Sequence, residues 1–336
     1  MPQRISIDIF KDRIAVSNSI VIVPHHNPDG DAIGSSLGLW HILTRMGKQV
    51  DVAVPNEFPS FLAWMPGSDA VTDFGKDPVK VKMLFDRCDL MIIVDFNANK
   101  RVRDMEPILS GCNAFKVMID HHPYPEPDTA QLMISDTSVS STCELAFNVI
   151  AQSGLLPYTD INAATCFYTG IITDTGVLSH NSSRPETYQT VAELMKYGIN
   201  KDLVHQLLFH SNSYDRMRLL GYVLCEKMKL LPEFRAAYIT LNAAELVRFN
   251  FQPGDTEGFV NYPLSIEGID ISGFFMERDG KVKVSLRSRG NYAVNKLSEI
   301  NFNGGGHLNA AGGESDLPLN DALDKFIKAL PMFFNS

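Results

Sequence analysis

The chain has 336 residues, 45% hydrophobic and 21% charged, with 30 Lys+Arg against 39 Asp+Glu for a net charge of −9. That composition belongs to a globular protein long enough for about two domains, and it excludes collagen-like, disordered and small disulfide-built chains. The acidic balance excludes a protein that coats nucleic acid with a broad basic surface, but not one that takes a small polyanionic substrate at a locally positive site.

Ile20, Val21, Ile22 and Val23 form the first predicted strand. Ile33, Leu37, Trp40 and Leu43 then step by four and three, a helical period, and Gly47 is the expected stop. Val50, Val52 and Val54 alternate as a strand. Residues 91–94 and 116–119 are short runs apolar on both faces, as central strands of a parallel sheet are. Ser141 to Glu144 reads as a capping box opening a helix that ends near Gly154. Ser183 and Glu186, with Pro185 in the first turn, read as a second box whose helix reaches about Gly198. Strands alternating with helices predict an α/β sheet covered on both faces.

Residues 200–231 carry two helical stretches, 203–209 and 217–230. Strands follow over 236–241, 269–276 and 282–286, then a glycine cluster and an amphipathic helix over 322–330. The domain boundary is expected within 198–215, as a helical connector. Residues 1–8 contain no apolar signal core, and no apolar run approaches the roughly 20 residues that span a bilayer. A soluble cytoplasmic protein is expected. Cys88, Cys112, Cys143, Cys166 and Cys225 are odd in number, scattered and without a C-x-x-C pair. They are read as small buried hydrophobes, not as a disulfide framework or zinc knuckle.

Function in an open α/β sheet sits beyond the C-terminal ends of the strands. Four segments lie there or at a comparable loop: His25-His26-Asn27-Pro28-Asp29-Gly30-Asp31, Asp95-Phe96-Asn97, Asp120-His121-His122, and Thr173-Asp174-Thr175-Gly176. One strand-end Asp is commonplace, because caps and turns use it constantly. Converging Asp29, Asp31, Asp95, Asp120 and Asp174 gathers like charges that repel prohibitively without cations. Hard carboxylates with one or two imidazoles and no thiolate point to two divalent ions, manganese or magnesium, rather than structural zinc. Ser35 and Ser36 are expected to open the helix after the first segment and aim its amide N–H groups at the anionic site.

These four segments, in this order, resemble the motifs of the DHH phosphoesterase superfamily, named for the triplet matched by Asp120-His121-His122. Ser285-Leu286-Arg287-Ser288, Asn303-Gly304-Gly305-Gly306-His307 and Ala310-Ala311-Gly312-Gly313 resemble its DHH-associated substrate domain. Within the superfamily the chain is most similar to the bacterial nano-RNase and pAp-phosphatase group, often labelled exopolyphosphatase-related. The resemblance implies an N-terminal catalytic domain over 1–197 built on a parallel sheet with helices on both faces. It implies a smaller C-terminal α/β domain with a mixed sheet over 216–336, joined by 198–215, and an active site in the cleft between them.

The resemblance also implies roles. His25 and Asp29 bind one metal, Asp31, His121 and Asp174 the second, and Asp95 bridges the two. Asp120 orients a histidine, and His122 contacts phosphate and delivers a proton. His26 is structural. Arg287, Ser288, Gly305, Gly306 and His307 grip the substrate, and the role of Arg289 is open. The implied enzyme is a hydrolase in which metal-activated water cleaves short oligoribonucleotides and 3′-phosphoadenosine 5′-phosphate. A phosphodiesterase of cyclic dinucleotides or their linear products shares every motif. Inorganic pyrophosphatase, exopolyphosphatase and a non-catalytic nucleotide-binding regulator stand behind these. The implied partners are short RNA or a small nucleotide, with no stably held long nucleic acid and no membrane; a homodimer is left open. His41, His180, His205 and His210 are read as structural, and Phe251, Phe259, Tyr262 and Phe274 as core.

Overall fold

The structure, a computed structural model, describes residues 4–210 and 212–334. The chain divides into two units, Met1–Ser211 and Asn212–Ser336. Residues 1–3 of the expected leaderless N-terminus and Ser211 of the expected connector lie outside the described residues.

The first unit runs α1 (Arg4–Val16), β1 (Ser19–Val23), α2 (Gly30–Arg45), β2 (Gln49–Val54), β3 (Val71–Asp73), α3 (Pro78–Arg87), β4 (Leu90–Val94), α4 (Glu106–Ser110), β5 (Phe115–Asp120), β6 (Leu132–Ser135), α5 (Thr142–Gln152), α6 (Ile161–Asp174), α7 (Pro185–Met195) and α8 (Lys201–Phe209). Its sheet has the order β3-β2-β1-β4-β5-β6, with every pairing parallel. The strands are apolar on both faces because each face has its own core, fed by alternate residues. Ile20, Ile22, Ile92, Val117 and Ile119 pack with α2, α5 and α6 residues such as Leu37, Leu145 and Ile171. Val21, Val23, Met91, Ile93 and Met118 pack with Val81, Leu84, Phe85 and Leu109 on the other side.

α2 and α6 approach too closely for side chains between them. A Cβ on Gly34 would stand 2.6 Å from the Cys166 carbonyl oxygen, and one on Gly170 would stand 3.0 Å from Asp31 Oδ1 of α2 as well as 2.1 Å from Cys143 Sγ of α5. Gly30 meets Thr173 and Gly38 meets Phe167, so the helices run antiparallel. The end of α6 therefore lies beside the start of α2.

Two local expectations are corrected. α2 opens at Gly30 behind an Asp29 N-cap, so Ser35 and Ser36 sit in its second turn, where their hydroxyls bond back to Asp31 and Ala32 carbonyls. α7 starts at Pro185 behind an extended Arg184 rather than a Ser183 cap, because proline forces the residue before it out of the helical region. The helix expected over 203–209 is α8, Lys201–Phe209, and its Val204 and Leu208 pack with the first unit's core.

The second unit runs α9 (Tyr214–Tyr222), β7 (Met228–Leu231), β8 (Ala236–Leu241), α10 (Ala243–Arg248), β9 (Ile271–Arg278), β10 (Lys281–Ser288), α11 (Val294–Asn301), β11 (Gly305–His307), β12 (Ala310–Ser315) and α12 (Leu319–Ala329). Its sheet, β11-β12-β10-β9-β8-β7, is mixed: β8 and β9 are parallel and the other pairs antiparallel. The helix expected over 217–230 ends at Tyr222, passes through one π-turn over Val223–Lys227, and becomes strand β7. Four register pairs with β8 hold that strand, and this pairing overrides the helical look of its sequence. Phe259 and Phe274 are core as expected, whereas Tyr262 is 41% exposed. Among the described residues no helix is long and apolar enough to cross a membrane.

Candidate functional site

The order of the first sheet reverses between β1 and β4, and crevices form at such a point beyond the strand ends. His25, Asp29 and Asp31 follow β1, Asp95 follows β4, and Asp120 ends β5 with His121 and His122 behind it. Asp174 arrives differently. It is the last residue of α6, not a strand-end residue, and the glycine-lined contact with α2 brings it to the same place. Asp95 has φ +64°, a left-handed conformation that costs energy, and its N–H is held by the Ile119 carbonyl at 3.1 Å.

Asp95 lies at the centre. Its Oδ2 is 3.3 Å from His25 Nε2, and its Oδ1 is 3.7 Å from both His121 Nε2 and His122 Nδ1. His121 Nε2 also lies 3.6 Å from Asp174 and 3.9 Å from Asp31. The donor atoms of His25, Asp29 and Asp95 fall within 4.8 Å of one another, as do those of Asp31, Asp95 and His121. Asp95 belongs to both sets. His25 donates through Nδ1 to the His26 carbonyl at 2.9 Å, which leaves Nε2 directed at Asp95. His26 contributes backbone here: its N–H donates to the Arg101 carbonyl at 2.8 Å. Asp29 spends Oδ1 on the N-terminal amides of Asp31 and Ala32.

The cluster is buried, with Asp31 1%, Asp95 3% and His121 3% exposed. Burial, then the neighbouring Asp174, pushes the Asp31 carboxyl up to about 7. Burial and the Asp31 and Asp29 charges hold Asp95 well above the carboxylate range. Burial alone outweighs its neighbours in lifting Asp120 to about 6. His25 is lowered by burial, and His122 well below its usual value by burial, His121 and Arg101, so both are neutral donors. Oδ2 of Asp120 is buried with no hydrogen-bond partner. Crowded carboxylates that hold protons for want of countercharge, beside neutral imidazoles, fit hard divalent cations.

The start of α5 is part of this site, and its role escaped the sequence reading. The Thr142 and Cys143 amides donate to Asp31 at 2.6 and 2.8 Å, and the Thr142 hydroxyl donates to Asp95 at 2.9 Å. A helix N-terminus thus cups one carboxylate and pins another. The legible signal was the Ser141–Glu144 box, read only as a helix start. Ser141 does cap Glu144, but the Glu144 carboxylate turns to Ser140 and Thr187 instead of closing the box. Thr142→Val keeps the amide and the approximate size but removes the hydroxyl. It is expected to weaken metal binding by about 10–100-fold, with Thr142→Ser restoring it. Metal titration of the folded variants checks this; wild-type affinity in Thr142→Val would remove Thr142 from the site.

In the second unit, the end of the glycine cluster is edge strand β11. Its register aligns His307 with Ala310 of β12, which aligns with Arg287 of β10. The next row on that face is Gly305, Gly312 and Ser285. Arg287 and His307 therefore flank a shelf of small residues, about two strand spacings or ~10 Å apart. The alternate residues Leu286 and Ala311 are buried on the opposite face. Gly305 faces open space, whereas a Cβ on Gly306 would stand 2.4 Å from the Ala310 carbonyl oxygen and one on Gly304 1.9 Å from that of Gly312. Ser288 is used internally: its hydroxyl donates to the Tyr292 carbonyl and accepts from Asn309. Arg289 lies past the end of β10 and is exposed.

The family model of the DHH family, N-terminal domain, matches residues 19–171, and that of the DHHA1 domain matches residues 236–336. The bifunctional oligoribonuclease and PAP phosphatase NrnA of Thermus thermophilus is 33% identical over 319 residues, covering 94% of this chain and 90% of that protein. The cyclic-di-AMP phosphodiesterase GdpP of Bacillus subtilis is 25% identical over 97% of this chain but 49% of its own length. The crystal structure of an exopolyphosphatase-related protein from Bacteroides fragilis matches with a TM-score of 0.94 at 41% identity, covering 99% of this chain and 97% of that one. With both domains matched in order and such identity along nearly its whole length, the chain belongs to the DHH family of phosphoesterases and carries the DHHA1 domain.

Proposed function

We propose that this chain is a metal-dependent phosphohydrolase of short oligoribonucleotides and of 3′-phosphoadenosine 5′-phosphate. The observation that carries the chemistry is the buried carboxylate and imidazole cluster centred on Asp95. The substrate class follows the Thermus relative, whose name states both activities. His25, Asp29 and Asp95 would hold one divalent cation and Asp31, Asp95, His121 and Asp174 a second, manganese or magnesium; bound there, such ions would supply positive charge and lower the pKa of water. Asp120 fixes His122 through a 2.7 Å hydrogen bond to Nδ1. His122 then contacts the phosphoryl oxygens and gives a proton to the leaving oxygen. Catalysis is assigned to residues 1–197 and substrate recognition to 216–336, joined by 198–215. A cytoplasmic location, consistent with five free cysteines, belongs to the same reading.

Arg287 and His307 recognise a phosphate or base beyond the one that reacts, across the shelf of Ala310, Gly305 and Gly312. The guanidinium suits an anionic oxygen pair. The cyclic dinucleotide reading is weaker, since the relative named for it is more distant and this chain spans about half its length. The test is a manganese-supplemented panel of pAp, dinucleotides, short RNA, cyclic dinucleotides, pyrophosphate and bis-p-nitrophenyl phosphate, compared by kcat/KM. Short RNA and pAp are expected to lead; preference for cyclic dinucleotides or pyrophosphate overturns the substrate assignment. Arg287→Ala and His307→Ala are expected to lose about 10–100-fold on pAp and dinucleotides, a charge-assisted contact's ~1.5–3 kcal/mol, and far less on the generic ester. Equal losses on both would withdraw the recognition role.

A further inference from the structure

Cys88 and Cys112, read from sequence as isolated hydrophobes, meet in the first unit away from the metal cluster. Their sulfur atoms are 3.8 Å apart, and each Sγ lies 3.4 Å from the Phe85 carbonyl oxygen. Cys88 is buried just before β4, and Cys112 is half-buried just before β5. β4 and β5 are parallel neighbours. Asp95 and the Asp120-His121-His122 triplet stand at the exits of these strands, and the cysteines stand at their entries. About five residues of strand, roughly 17 Å, separate the two ends.

We propose that Cys88 and Cys112 form a reversible disulfide site, which closes under peroxide and staples the entry ends of β4 and β5. The chemical setting agrees. The hydrogen bond with Cys88, the Ala114 amide and the nearby Lys116 charge lower the Cys112 thiol to about 6, against burial and the Asp86 carboxylate. The low, half-exposed thiol is the one a peroxide meets first. Its thiolate attacks a peroxide oxygen, the O–O bond breaks and hydroxide leaves, giving a sulfenic acid at Cys112. The Cys88 sulfur then attacks that sulfur. The S–S bond forms, the S–O bond breaks, and water departs with the Cys88 proton. Two electrons pass from the two thiols to one peroxide, leaving one disulfide and two waters; a dithiol reverses the change. The bond joins positions 24 apart in sequence, so it restrains the unfolded chain while leaving the distant carboxylates in place.

The experiment treats the full chain with one equivalent of hydrogen peroxide, followed by thiol counting, peptide mass mapping, a thermal scan and turnover of pAp. The five free thiols are expected to fall by two, with a linked peptide containing Cys88 and Cys112. The thermal midpoint should rise by about 5 °C and return with dithiothreitol. Turnover should stay within about twofold, because a disulfide at the strand entries leaves the groups at the exits in place. Cys88→Ser should give no linked peptide and instead a dimedone-trapped sulfenic acid at Cys112. Oxidation confined to exposed Cys225, with Cys88 and Cys112 still open to alkylation, overturns the proposal. A linked peptide without a higher midpoint overturns the stapling role, and loss of turnover on linkage overturns its separation from the metal cluster.

Discussion

Asp95→Asn is expected to bring turnover below detection and to release both cations together. Asp95 belongs to both donor sets, with one oxygen 3.3 Å from His25 and the other 3.7 Å from His121, so the substitution removes a ligand from both proposed cation sites at once. Asparagine is chosen over alanine because it tolerates the φ of +64°, which separates ligand loss from backbone strain. Asp29→Asn should weaken one cation, since Asp29 joins the His25 set alone of the two. Metal content after dialysis, measured beside kcat, checks this; two retained cations in active Asp95→Asn would end the bridging assignment. The same variant makes an opposite prediction for stability. Asp31, Asp95 and Asp120 have proton affinities raised above those of an unfolded chain. Such groups favour the fold while protonated, at pH below about 4, and that support fades as pH rises through about 6 for Asp120 and about 7 for Asp31. The metal-free wild type should therefore lose stability towards neutral pH, and divalent cations should restore most there, with release of protons. Metal-free Asp95→Asn should lose less, because one buried charge is gone. A thermal series from pH 4 to pH 8 with chelator reads this directly; a flat wild-type profile would contradict it.

The residues proposed to hold metal were legible because each group of them follows an apolar run, where a sheet has no packing reason to collect carboxylates. His25, Asp95 and His121 needed no knowledge of geometry beyond that. Asp174 was legible as a residue but not as a position: the α2–α6 contact that delivers it depends on Gly30, Gly34 and Gly38, which look ordinary in isolation. Thr142 was hidden for a different reason. Half its contribution is a backbone amide, which any residue carries, and its partner Asp31 is 111 positions away. Arg287 and His307 were singled out, but nothing in their spacing shows the strand pairing that sets them in one row across Ala310. Short edge strands such as β3 and β6 lack enough residues to show a period at all. Cys88 and Cys112 illustrate the same limit, since no spacing rule foretells that two strand entries are neighbours.

His122→Ala is expected to keep both cations and to cut kcat by about 10²–10⁴-fold, the range for a group that handles the proton in the transition state. His122 is separated from its neighbour by what each ring faces. His121 Nε2 looks into Asp31, Asp95 and Asp174, whereas His122 Nδ1 is held at 2.7 Å by Asp120. With Asp120 ionised at neutral pH, Nδ1 carries the proton of the neutral ring, and Nε2 is the atom proposed to meet the reacting phosphate. Burial keeps the ring neutral in the free enzyme, so the proton that the proposed role requires would have to be acquired with the substrate, whose negative charge raises the ring's affinity. Asp120→Asn leaves a hydrogen-bonding partner but removes the charge that fixes the tautomer. It should therefore lower kcat less than His122→Ala and move the alkaline limb of the kcat profile to lower pH, since losing the carboxylate charge lowers the imidazolium's proton affinity. The activated ester bis-p-nitrophenyl phosphate, whose leaving group needs no proton, should be spared by His122→Ala relative to pAp. Equal losses on the two substrates would make His122 a charge stabiliser rather than a proton donor. Loss of one cation in His122→Ala, with both retained in His121→Ala, would exchange the roles of the two histidines.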